Sequence, residues 1–145
     1  MIDETDARII EILERDGRIS MSELAARVGM SGPNVSERVR KLEHEGVIKA
    51  FTIEFSPRAL GYTLEAIVRV KPSPGALHIV EQLILEQPRF TACDKVTGED
   101  CFVTRLLLRD ISELDDLLEP LQDKAVTNTA IIKATPLRSR MPPLR

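Results

Sequence analysis

From Tyr62 to Leu137 the chain switches between a two-residue and a helical hydrophobic period in a fixed order. "YTLEAIVRVKP" alternates as a strand, and "GALHIVEQLILEQP" places Leu77, Val80, Leu83 and Ile84 on one helical face. "RFTACDKV" and "CFVTRLLL" read as strands joined by the turn "TGED". "DISELDDLLEPLQ" carries Ile111, Leu114, Leu117, Leu118 and Leu121 on a second helix, and "AVTNTAIIKATPL" returns to strand. The order β-α-β-β-α-β is that of the split βαβ, or ferredoxin-like, sheet with both helices on one face.

The hairpin in this unit has a definite expected register. With Gly98 and Glu99 as its two loop residues, Val96 pairs with Cys101 and Cys93 with Thr104, so the two cysteines fall on opposite faces. Both faces of these strands read as apolar. Phe90, Ala92, Val96, Val103 and Leu107 share one face, and Phe102, Leu106 and Leu108 the other. Two helices cover one face only, so the second calls for a partner, most simply the same sheet of another copy.

The first third has a different texture. "DETDARIIEILERDGR" sets Ile9, Ile10, Ile12 and Leu13 at helical spacing, with Asp3 or Thr5 as cap and Gly17 beyond the end. "ISMSELAARVGM" contains an S-x-x-E capping box at Ser20 and Glu23, an apolar face of Leu24, Ala25 and Val28, and a stop at Gly29. "MSGPNVSERVRKLEHEGVI" begins a third helix near Pro33 and ends it at Gly46. Two helices around a Gly turn make either an αα-hairpin or a helix-turn-helix. "VIKAFTIEFSP" then alternates, predicting a strand over Ile48 to Phe55, and Ser56 to Gly61 reads as a linker. The expected organisation is a helical domain of one or the other kind over 1–50, a linker strand and loop over 51–61, a ferredoxin-like βαββαβ domain over 62–137 and a basic Pro-rich tail over 138–145. The fold class is therefore α+β.

On a helical wheel Val35, Val39 and Leu42 of the third helix form a narrow core stripe. Glu37, Arg40 and His44 lie opposite, and Asn34, Arg38 and Lys41 run down one flank. Such a face is either solvated, with pairs such as Glu37–Lys41, or it is a recognition surface. Its context favours recognition. The helix opens with the small residues Ser31, Gly32, Pro33 and Asn34, which allow close approach to a phosphate backbone. From Arg27 to Ala50 five Lys/Arg stand against three Glu, whereas Met1 to Glu23 has three Arg against seven Asp/Glu. From Lys133 to Arg145 there are four basic residues and no acid. The net charge of −3 excludes a uniformly basic coat but leaves room for local basic surfaces.

Other chemistry finds little support. Cys93 and Cys101 have no nearby histidine, since His44 and His78 lie in other segments, and no CxxC or HxxxH pair suggests a metal. No nucleophile–base pair stands out, so neither an enzyme nor a cofactor is expected. No apolar run reaches membrane length, and two cysteines are too few for a disulfide framework, which points to the cytoplasm. The alternatives to DNA binding are a protein-interaction module and a small-molecule-binding ferredoxin-like protein.

The stretches "DARIIEILERDGRIS", "ELAARVGMS", "VSERVRKLEHEGVI" and, downstream, "VTGEDCF" together resemble the Lrp/AsnC family of transcription regulators, over roughly residues 1 to 137. The resemblance implies that residues 1–50 form a winged-type helix-turn-helix that reads double-stranded DNA and that residues 62–137 form a C-terminal effector domain. It also implies homodimers assembling into larger even oligomers. It makes Ser31, Asn34, Ser36, Glu37, Arg38, Arg40 and Lys41 candidate DNA contacts, although Glu37 departs from the basic residue common near that point. It makes Thr97, Gly98, Glu99 and Asp100 candidates for holding a small amino-acid effector. Read from the residues alone, "TGED" is a hairpin turn with solvated carboxylates.

Overall fold

The structure, a computed structural model, describes residues 1–144; Arg145, the end of the expected tail, lies outside the described residues. Two compact units are present, one formed by Met1–Glu54 together with the segment from residue 137, the other by Phe55–Pro136.

The first unit holds three helices: α1 (Glu4–Arg15), α2 (Met21–Val28) and α3 (Gly32–His44). Local chemistry sets each end. Asp3 caps α1 in a reciprocal box with Asp6, each side chain accepting from the other's backbone N–H. Ser20 caps α2 by accepting from Glu23 N–H at 3.1 Å, but the return bond of the expected box is not made. Glu23 instead accepts from Arg27 at 2.8 Å. Gly29 ends α2 at φ +73° and Ser31 caps α3, so the turn between the two helices is only a few residues long. Ile9, Leu13, Leu24, Ala25, Val28, Val35, Val39 and Leu42 close the core, as the periodicity predicts.

The strand expected over Ile48–Phe55 is not formed. Its alternation is there, but a strand needs a neighbour to take its N–H and C=O groups, and none is supplied. Phe51, Ile53 and Phe55 are accordingly exposed.

The second unit is the expected sheet of β1 (Leu64–Pro72), β2 (Phe90–Lys95), β3 (Phe102–Leu108) and β4 (Ala125–Ile131), in the order β2-β3-β1-β4 and antiparallel throughout. Helices α4 (Leu77–Glu86) and α5 (Leu114–Gln122), the latter preceded by a 3-10 turn at Ile111–Glu113, pack on one face. Ala66, Val68 and Val70 meet Phe102, Leu106 and Leu108 there, with Val80, Ile84, Leu118 and Leu121 above them. Thr104 is buried in this layer and donates its hydroxyl to Val68 O at 2.8 Å. Ile111, expected inward, is exposed because the 3-10 turn rotates it out of the helical stripe.

The predicted hairpin register holds, with Cys93 opposite Thr104 and Val96 N–H donating to Cys101 O at 2.8 Å. Two expectations about faces do not hold. A bulge between Phe90 and Ala92 sets Phe90 opposite Leu106, so Phe90 turns toward the helices. Cys101 lies outside the β3 ladder, bridges Val70 and packs partly against the helix-side core, so strict alternation does not reach it. Both thiols are free. The other face is mixed rather than apolar: Ile67, Val103 and the exposed Val126 share it with Glu65, Arg69, Lys71 and Arg105.

Candidate functional site

Two places carry the expected chemistry, one in each unit. On α3 the core stripe faces inward, so Asn34, Glu37, Arg40 and Lys41 are exposed and Ser36 and Arg38 half-buried. Ser31 is committed locally, its Oγ accepting from Asn34 N–H at 3.4 Å. Asn34, Glu37, Arg38 and Lys41 line a shallow cleft of 420 Å³ with Asp3 and Met30. Lys41 pairs loosely with Glu45 at 3.8 Å, not with Glu37, and Arg40 makes no ion pair among the described residues. That leaves Arg40 and the Asn34 amide uncommitted and available to an outside partner.

Arg38, unlike Arg40, has partners within the unit. Its Nη1 donates to Asp3 Oδ2 at 2.7 Å and to Asp6 Oδ1 at 2.8 Å, gripping both halves of the α1 capping box. The backbone N–H of Asp6 and the Arg38 guanidinium hold the Asp3 carboxyl below its usual range. Arg38 therefore fixes α3 against the start of α1. Sequence reading misses this, because the partners lie 35 and 32 residues away.

The "TGED" turn is a four-residue loop, Thr97–Asp100, longer than the two residues expected, with Gly98 at φ +105°. All four residues are exposed. The carboxylates have company that the sequence did not reveal. Asp100 Oδ2 stands 3.9 Å from Arg69 Nε, and Glu99 Oε2 stands 4.0 Å from Lys71 Nζ. Arg69 and Lys71 alternate along β1 and so point to the same side. The loop thus sets two anions beside two cations, and long exposed pairs of this kind hold weakly.

Among the described residues no group of His, Cys, Asp and Glu is arranged to hold a metal. Burial pushes the Cys93 thiol up, which disfavours a thiolate nucleophile. No helix among the described residues is long and apolar enough to cross a membrane.

Residues 2–49 match the winged helix-turn-helix DNA-binding family model, and residues 65–142 match the Lrp/AsnC ligand binding domain. The chain belongs to the Lrp/AsnC family of transcriptional regulators. It is 30% identical to the HTH-type transcriptional regulator LrpC of Bacillus subtilis over 131 residues, 90% of this chain and 91% of LrpC. It is 32% identical over 137 residues to the HTH-type transcriptional regulator FL11 of Pyrococcus horikoshii, covering 92% and 91% of the two chains. The solved LrpC structure superposes with a TM-score of 0.87, covering 93% of this chain and 96% of that one. A feast or famine regulatory protein of M. tuberculosis complexed with L-methionine is 30% identical and superposes at 0.84, covering 97% and 98%. The relatives named here are transcriptional regulators.

Proposed function

We propose that this Lrp/AsnC regulator reads duplex DNA with α3 and takes an amino acid at the Thr97–Asp100 hairpin, and that effector binding alters how its copies assemble. The observation that carries the DNA reading is the outer face of α3. Asn34 and Arg40 stand exposed on a helix fixed from behind by Val35, Val39, Leu42 and Arg38, and neither side chain has a partner among the described residues. A rigid helix with an amide and a guanidinium free is suited to base-edge and phosphate contacts respectively. Ser31, Ser36 and Lys41 supply further contacts to the backbone. Glu37 has no place among phosphates and acts, on this reading, only where a base offers a donor.

The effector reading rests on charge. An amino acid is a zwitterion, and it needs an anion for its ammonium group and donors for its carboxylate. Asp100 or Glu99 meets the first need, and Arg69, Lys71 and the backbone near Gly98 meet the second. The weak pairs already present are exchanged for stronger ones when the ligand enters. Thermal shift against the twenty amino acids, combined with DNA affinity for the chain's own upstream duplex, tests both halves. One amino acid raises the melting temperature by mass action and changes the DNA affinity. A protein that binds specific and random duplex alike, with no amino acid moving its melting point, refutes the reading.

A further inference from the structure

The C-terminal segment reads in sequence as a basic Pro-rich tail, and the ligand-binding family model extends to residue 142. From residue 137 it joins the compact unit of the three helices, not that of the sheet. It is free of helix and strand, and its consecutive Pro142 and Pro143 favour extended backbone. Met141 and Leu144 are half-buried, whereas Arg138 and Arg140 are exposed and make no ion pair or hydrogen bond among the described residues. A non-helical segment is thus held on the helical unit with two guanidinium groups free.

The electrostatics of that unit make the placement consequential. Residues 1–54 contain eight Lys/Arg against eleven Asp/Glu, a net −3. Of the eight, Arg27 is paired with Glu23, Arg38 with Asp3 and Asp6, and Lys41 loosely with Glu45. A duplex carries about one negative charge per 1.7 Å of axis, so a head of net negative charge meets it at a disadvantage. Residues 137–145 hold three Arg and no acid, which brings the sum for the head and this segment to zero. Free, unpaired guanidinium groups are the side chains best matched to phosphate oxygens.

We propose that segment 137–144 is a second DNA-contacting element of the helix-turn-helix unit, an arm whose Arg138 and Arg140 bind duplex phosphates in addition to those held by α3. The arm rests on the DNA reading of α3 above. It adds affinity without sequence preference, because phosphates carry no sequence information.

The experiment is a salt titration of DNA affinity by fluorescence anisotropy, with the full chain, on its own upstream duplex and on a random duplex of equal length. Wild type is compared with the double variants Arg138→Ala/Arg140→Ala and Arg138→Lys/Arg140→Lys. The alanine pair lowers the salt slope by about 1.8 per bound protomer, roughly 0.9 for each phosphate no longer neutralised, and equally on both duplexes. The lysine pair keeps the wild-type slope. An alanine pair with the wild-type slope overturns the arm, as does an effect confined to the specific duplex or one traced by light scattering to a changed oligomer. If wild type itself binds no duplex, α3 is not a DNA reader, and that failure is distinct from failure of the arm.

Discussion

At the scale of single residues, neighbouring arginines on one helix divide into two kinds. Arg38 is engaged by Asp3 and Asp6, whereas Arg40, two positions on, has no partner among the described residues. Arg38→Ala therefore lowers the denaturation midpoint of the helical unit, and it leaves the Asp6 carboxylate, almost wholly buried, without its cation. Arg40→Ala leaves the midpoint unchanged and lowers the salt slope of DNA binding by about one. Chemical denaturation and anisotropy on both variants check this, and exchanged outcomes would reverse the assignment. The second residue-scale network surrounds Glu113. It accepts from both terminal nitrogens of Arg89 at 2.9 and 3.0 Å and from Arg109 N–H at 2.9 Å, while both arginines stack on the Tyr62 ring. These donors, Arg89 foremost, pull the Glu113 carboxyl from 4.5 to about 2. A carboxyl whose folded value is depressed stabilises the fold above its unfolded value, and that stability is lost as pH falls from 4.5 toward 2. Melting temperature measured across this window falls in wild type and more shallowly in Glu113→Gln, whose side chain does not titrate.

At the scale of elements, the helix-turn-helix depends on a turn that one glycine makes possible. Gly29 sits at φ +73° with open space around the position of a Cβ, so a substitution there meets backbone strain and no clash. Gly29→Ala destabilises the head by about 1 kcal/mol, measured by urea denaturation; a neutral result would mean that the turn relaxes without cost. What was legible in the sequence follows from how far each determinant reaches. The caps at Ser20 and Ser31 and the stop at Gly29 act within a few residues, and helix ends can be read from them. The hairpin register was legible because a short loop fixes it. The Thr91 bulge was not, since an extra residue leaves the apolar pattern of β2 almost unchanged while turning Phe90 over. The linker alternation was legible as a pattern but not as a strand, because pairing depends on a neighbour that this part of the chain does not have. The partners of Asp100 and Glu99 were hidden for a related reason. Arg69 and Lys71 sit about 30 residues earlier in the chain, and only the sheet brings them to the loop.

At the scale of the whole molecule, the proposed function requires a loop in one unit to act on a helix in the other, and assembly offers the means. The exposed row of Phe51, Ile53 and Phe55 and the uncovered sheet face bearing Val126 both suit a second copy of the chain. Adjacent Glu99 and Asp100 suggest, in sequence, a repulsion that ligand must relieve before copies assemble. The structure removes that repulsion as a driving force, because Arg69 and Lys71 already face the two carboxylates. What remains is exchange. On the proposed function a zwitterionic amino acid replaces two weak surface pairs with stronger, shielded ones, and it does so only if the arrangement of copies closes around the loop. Linkage is reciprocal, so an assembly favoured by the ligand must bind that ligand more tightly. Asp100→Ala removes a proposed ammonium partner and also frees Arg69, while Gly98 and the strand register stay intact. Light scattering with and without the amino acid that most raises the melting temperature then shows a ligand-dependent change of mass in wild type and none in Asp100→Ala. Without ligand the two proteins have the same mass. If Asp100→Ala changes its mass as wild type does and binds the ligand equally well, "TGED" is a solvated turn, and the coupling between effector and assembly runs through other residues.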